Sequence, residues 1–487
     1  MSNFESHLHD RLAAVRRNPS DNAARTALEQ WIDGHPAAFQ AWLPHDVLSF
    51  GISDAKLPRR LQFIKRLLLA GYAPPRVEMV SGADWQDATV NMAVVTSYFY
   101  ANALSLLEAA QTRTDVAVFV TYPANNEEQP WLEMRSGYDG TSVVLHAALM
   151  LDAQGLVLRW FAEPVPVHYL FPVDNYYRSK FRLVTEYGAS RVPMPGSALL
   201  REVCENKLLL ADVIGSLPEL RLAHELSLIP QQRMDVEDAL DRFCAEHDLQ
   251  ALVTKPVDAF GGIGVEFWHY PQDRQLLVAR LKEAVAANTV MLVQERIVPV
   301  PLMDGREWNL RQYVLRYGPE LIRAPWKRAR VGEGAVNTTQ GAQSMTVEQL
   351  LLRLRIEPAQ HNAFREALQR CDALAVEVLQ RLDAYMQRFW NTAREPYIGS
   401  GSNLEPDLLA LDFMISHDQE HPQQFVIYIN EINDFASGGM RDYEILAHRQ
   451  AFPDAERIVA AHPFSLAPSV LDLAKWRGSA YRQARSD

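Results

Sequence analysis

Cysteine is scarce: Cys204, Cys244 and Cys371 are the only three in 487 residues, and no CxxC spacing joins them. That excludes a disulfide framework and a cysteine metal site, and makes a reducing cytosol the expected compartment. Long apolar runs are missing too, none approaching the ~18–20 residues of a membrane span. The opening "MSNFESHLHDRLAAVRRNPSD" mixes charges of both signs and lacks the apolar segment of a secretory signal. Positive charge is in deficit, with a formal net charge of −12. A general nucleic-acid binder is thereby excluded, because neutralising phosphates takes a clustered basic surface. Internal repeats and low-complexity stretches are also absent. What the chain does have is length, since 487 residues suffice for two to four domains.

Residues 1–112 read as a helical region. "FESHLHDRLAAVRR" spaces its apolar residues near 3.6, and "DAKLPRRLQFIKRLLLAGY" and "DATVNMAVVTSYFYANALSLLEAA" continue the pattern. From 113 to 195 short apolar runs such as "DVAVFVTYP" and "GLVLRWFAEP" end in Pro, Gly or Asp, as strands of an α/β domain do. "RVPMPGSA" (191–198) marks a boundary. Residues 196–463 then alternate helices and strands, with two helices expected near 346–391, and 464–487 form a C-terminal helix. The fold class is α/β (α+β).

The chemistry gathers between 250 and 440. Lys255 ends the strand "LVTKP", and "FGGIGV" follows with Gly261, Gly262 and Gly264. Glycines let backbone N–H groups approach an anion closely, although a hairpin turn explains such a pair equally well. The strand "REWNLRQYVLR" alternates, putting Glu307, Asn309, Arg311 and Tyr313 on one face. It runs through a turn at Gly318-Pro319 into Lys327, Arg328 and Arg330, whose charges suit phosphate or carboxylate. Asp412 in "LALDFMI" and Glu431 and Asn433 in "FVIYINEIN" stand in strands that should be buried. Buried carboxylates are paired or bind a cation. Two readings stay open: oxygen ligands for Mg²⁺, or salt bridges to the basic cluster at 327–330.

This ordered set resembles the ATP-grasp superfamily over roughly 200 to 445, a length reasonable for one domain. The nearest pattern is the subgroup of ribosomal-protein glutamate ligases and related peptide-forming enzymes. Arg328, Arg330, Gly332-Glu333 and Asn337 match its basic stretch, and "ALD" and "EINDFASGG" match its metal strands. The resemblance implies an ATP-grasp fold behind a helical N-terminal region and an α/β pre-ATP-grasp domain. It implies that Lys255, the glycine loop, Lys207, Lys327 and Asn337 contact ATP. Gln294, Glu295, Arg296 and Ile297 would form the strand that meets adenine, and Glu307 would take the ribose. Asp412, Glu431 and Asn433 would hold Mg²⁺, with Mn²⁺ also compatible. Arg330 or Arg328, with Arg311, would stabilise the transferred phosphoryl group. Departures from the pattern are Ala335 where a second arginine is common, missing prolines after Glu-x-Asn, and the added Asp434.

The activity so implied is carboxylate–amine ligation through an acyl phosphate, releasing ADP and phosphate. Amino acids or peptides are the expected partners, with no nucleic acid and no membrane. A phosphotransferase acting on another acceptor, or a nucleotide-binding scaffold, is the alternative. A homodimer through the helical region stays open.

Overall fold

The computed structural model describes residues 3–17, 22–43, 57–81, 90–96, 102–121, 131–137, 140–173, 190–215, 217–232, 234–257, 262–334, 336, 341–392, 405–435, 438–454 and 465–486. Four helices come first, Asn3–Arg17, Asn22–Gly34, Pro36–Trp42 and Leu57–Leu69. Leu8, Leu12 and Val15, one turn apart, make a buried stripe in the same core as Leu28, Ile32, Ile64 and Leu68.

A seven-stranded mixed sheet follows. Its strands are β1 (Arg76–Val80), β2 (Val90–Val95), β3 (Val116–Thr121), β4 (Leu132–Gly137), β5 (Gly140–Asp152), β6 (Gly155–Pro166) and β7 (Tyr169–Pro172). Their order is β1-β6-β5-β3-β2-β7, with β4 on β5. The all-helical expectation for residues 1–112 is therefore wrong at β1 and β2. "VNMAVV" is buried at every position, and a short, fully buried run carries no period that separates a strand from a helix. Helix Asn102–Ala110 and the C-terminal helix Ala467–Ser486 pack together and onto β2 and β3, so the last helix folds back on this sheet.

After β8 (Leu220–Arg221) come β9 (Glu225–Leu228), β10 (Ala251–Pro256), β11 (Glu266–His269) and β12 (Met291–Glu295). These last four form an antiparallel sheet, ordered β11-β10-β12-β9. Helices Val236–Glu246 and Arg274–Ala286 pack on it, and Asp235 caps the first by accepting from Glu237 N and Asp238 N. Leu240, Leu252, Leu281 and Val293 give this lobe a core of its own, separate from the main one.

The third sheet contains β13 (Glu307–Arg316), β14 (Ile322–Gly332), β15 (Gln343–Met345), β16 (Leu408–His417) and β17 (Phe425–Asn433). Its order is β15-β14-β13-β16-β17-β8. Its two faces are chemically distinct, as alternation along β13 requires. Trp308 and Gln312 turn to helix His361–Thr392, where Trp308 meets the Phe364 ring and Gln312 donates to Asp372. Asn309, Arg311 and Tyr313 turn the other way. The two helices expected near 346–391 are a short Val347–Leu351 and one 32-residue helix, His361–Thr392.

Candidate active site

A cavity of about 450 Å³ lies between the small sheet and the polar face of the third sheet. Of the residues singled out in the sequence, it is lined by Lys207, Lys255, Gly262, Gln294, Glu295, Arg296, Ile297, Glu307, Arg330, Asp412 and Glu431. Gly261 and Asn337 lie outside the described residues. Gly262 and Gly264 both take positive φ, 80° and 72°, which favours glycine there.

On the small-sheet side, Lys255 is 8 % exposed and donates to Asn430 Oδ1 at 3.4 Å. Burial lowers its pKa to about 8, with the Glu431 carboxylate opposing that effect. Lys207 donates to the Val257 carbonyl at 3.1 Å. Gln294 donates to Glu225 at 2.9 Å. Arg296 pairs with Glu307 and lies 4.7 Å from the Phe267 ring centroid, so the acid expected to take ribose hydroxyls already has a cationic partner.

The register of the third sheet explains the other side. Arg311 stands opposite Arg328 on one strand and Asp412 on the next, and Asp412 stands opposite Glu431. Arg311 donates Nε to Asp412 Oδ1 and Nη2 to Oδ2, both at 2.8 Å, and Arg330 Nη2 donates to Oδ2 at 2.7 Å. Burial alone would raise the Asp412 carboxyl, but the two guanidinium forks hold it well below the usual range. The two open readings of the acids thus divide between them. Asp412 is salt-bridged to Arg330, whereas Glu431 forms no ion pair within 4.0 Å among the described residues and faces the cavity.

Several expected residues are not brought to the cavity. Lys327, expected at ATP, sits opposite Gln312 on the other face, where it pairs with Asp372 at 2.7 Å and donates to Leu368 O. Arg328 lies beneath Gly439 and pairs with Asp442 at 3.0 Å. Arg311 touches the cavity only through Asp412 and also donates to Gly438 O at 2.9 Å. Asn433 stands opposite Ala410, off the cavity, with a buried Nδ2 that has no partner among the described residues.

The cavity also holds residues that the sequence did not single out. Between Asp412/Glu431 and Phe413/Ile429 the register slips, leaving Asn430 as the extra residue of a bulge. Asn430 and Glu431 consequently both line the cavity, against the strict alternation of a strand. No residue pattern announces a bulge; only the adjacency of Asn and Glu in "INEIN" hinted at it. Asn309, which the sequence did place on this polar face, also lines the cavity and accepts from Arg330 Nε at 2.8 Å. At the far end His224 and His247 stack with centroids 4.1 Å apart.

A hard cation finds oxygen donors on this wall. A carboxylate offers about four lone-pair sites, and three N–H groups occupy Asp412, leaving a position on Oδ1. Glu431 and the Asn430 carboxamide add oxygen donors on the same wall. Among the described residues no three His, Cys, Asp or Glu side chains gather into a metal cage. One or two carboxylates completed by substrate phosphates is the pattern that suits Mg²⁺, and the residues fit it.

No family model and no curated protein matches the chain. Solved structures similar to it include the D-alanine-D-alanine ligase from Coxiella burnetii, at 10% identity and TM-score 0.46, covering 82% of this chain and 97% of that one. The VanG D-Ala:D-Ser ligase from Enterococcus faecalis gives 14% and 0.45, covering 79% and 99%. A RiPP-associated ATP-grasp ligase from Chryseobacterium gregarium gives 12% and 0.44, covering 81% and 97%. Likenesses of this degree leave the functional reading to rest on the site. No helix among the described residues is long and apolar enough to cross a membrane.

Proposed function

We propose that this chain is an ATP-grasp carboxylate–amine ligase. The observation that carries the reading is a single cavity with lysines on one wall, Lys255 and Lys207, and an arginine-held acid row, Arg330-Asp412-Glu431, on the other. Such a wall pair suits a triphosphate clamped from two sides. Lys255 and Lys207 would hold phosphate oxygens, with Gly262 of the glycine loop beside them. Gln294 to Ile297, beside the apolar Val253, Met414 and Tyr428, would meet the base. Asp412 and Glu431, with Asn430 in place of the expected Asn433, would hold Mg²⁺, which supplies charge neutralisation on the phosphates when bound.

A substrate carboxylate oxygen then attacks the γ-phosphorus while the bond to the β-bridging oxygen breaks, giving an acyl phosphate and ADP. An amine attacks the acyl carbon, the C–O bond to phosphate breaks, and the amine loses a proton as the amide forms. The chain's share is orientation and charge stabilisation, since phosphoryl transfer asks for little covalent help. Arg330, kept desolvated between Asn309 and Asp412, is the group that would meet the equatorial oxygens. The substrates would be amino acids or peptides, in the cytoplasm.

The test is product analysis with a panel of amino acids. ADP and phosphate are expected, and hydroxylamine in place of the amine should give an acyl hydroxamate. AMP with pyrophosphate would overturn the mechanism, and ADP without hydroxamate would turn the reading to a phosphotransferase.

A further inference from the structure

We infer that the N-terminal α/β domain sets the position of Arg311 through the pair Glu108–Arg441, which makes Glu108, Asn102 and Arg441 positioning residues; the inference rests on the ligase reading. Helix Met440–Ala451 begins at Gly439, whose φ of 103° and lack of a side chain leave its first N–H groups without a cap from its own N-cap residue. A side chain there would have to displace a buried guanidinium, because a Cβ would lie 1.9 Å from Arg328 Nη2. The cap comes instead from 339 residues away: Asn102 Oδ1 accepts from Arg441 N at 3.0 Å. The Arg441 guanidinium then forks onto Glu108, donating Nη2 to Oε1 at 3.0 Å and Nη1 to Oε2, and Tyr72 OH also donates to Glu108. Arg441 and Glu108 are 7 % and 6 % exposed.

The opposite side of the same helix start is gripped by the proposed site. Gly438 O accepts from Arg311 Nη1 at 2.9 Å and from Tyr313 OH at 3.3 Å, and Arg328 pairs with Asp442. Arg311 is in turn half of the fork pair on Asp412. One helix start therefore joins Glu108 of the first domain, through a buried ion pair, to the arginine row of the third sheet. A buried pair could be replaced by apolar packing at no loss of stability, so its use here is better explained by geometry than by strength. Lys255 stands on β10 of the small lobe, whose core is separate, and has no part in this chain of contacts.

The experiment uses the full-length chain with Glu108→Gln, which keeps volume and an acceptor, and Asn102→Ala, which removes the cap. The readouts are steady-state ADP release and hydrogen exchange. Each variant should lower kcat about 10- to 100-fold, the scale of a displaced catalytic group, while KM for ATP moves less than about 3-fold. Amide exchange should quicken in 307–316 and 438–451 and stay unchanged in 251–256 and 291–295. Unchanged kcat and unchanged exchange at 307–316 in a folded variant overturns the inference, whatever the melting temperature does. Loss of folding in both variants also overturns it, because the contact is then one of stability alone. Wild-type protein releasing no ADP would sink the ligase reading instead, and the exchange arm would still decide the coupling.

Discussion

Lys255 is held in a place that costs stability. Its pKa falls from 10.5 to about 8 because burial disfavours the ammonium. A lysine with a folded value below its unfolded one destabilises the fold while it must carry its proton. That cost is full below pH 8 and fades as pH rises from about 8 towards 10.5, on the order of 3 kcal/mol in all. Lys255→Met should accordingly raise the apo melting temperature at pH 7 while abolishing turnover or raising KM for ATP. A lower melting temperature, or full activity at limiting ATP, would refute that assignment. The two acids should respond differently from each other. Asp412→Asn leaves two buried guanidinium forks short of a charge and should cost about 3–5 kcal/mol in denaturant unfolding. Glu431→Gln breaks no ion pair and should leave apo stability nearly unchanged while weakening Mg²⁺-dependent activity. Equal losses in the two variants would contradict the asymmetry. Arg330→Lys keeps one charge but not the fork, and kcat should fall on the order of 10²–10³-fold with ATP binding little altered.

At the scale of the element, the polar face of the third sheet is built by register. β13 and β14 bring Arg311 and Arg328 abreast, and the bulge in β17 turns two consecutive residues into the cavity. Gly438 and Gly439, at the start of helix Met440–Ala451, then lie against Arg311 and Arg328. Gly439→Ala must adopt φ near 103° and displace Arg328. The strain alone should cost about 1–3 kcal/mol. Unfolding measurements should find at least that loss, together with reduced turnover. A neutral Gly439→Ala would mean that the approach of Arg328 is not needed.

For the whole molecule, the cavity lies between two lobes with separate cores, so the walls can change separation without breaking either core. Among the described residues no three His, Cys, Asp or Glu side chains form a metal cage. Chelation by EDTA should therefore abolish ADP release and leave the thermal unfolding midpoint where it was. A large fall in that midpoint would show a structural metal instead.

Ordered residues along the chain were enough to determine the lysine-ended strand, the alternating strand of Asn309 and Arg311, and the acid strands, because strand alternation is local and has period two. The helices whose apolar residues repeat near 3.6, such as Asn3–Arg17, were legible for the same reason. β1 and β2 were not: β2 is buried at every position and has no exposed side to mark its period, and β1 is only five residues long. Which charges are neutralised, and by whom, was decided by tertiary structure alone. Asp412 meets Arg311 and Arg330 across strands 101 and 82 residues apart in sequence, and Lys327 is drawn to helix His361–Thr392 by the face it happens to occupy. Ion pairing depends on distance and burial, and neither is written in the order of residues until the sheet has closed its register.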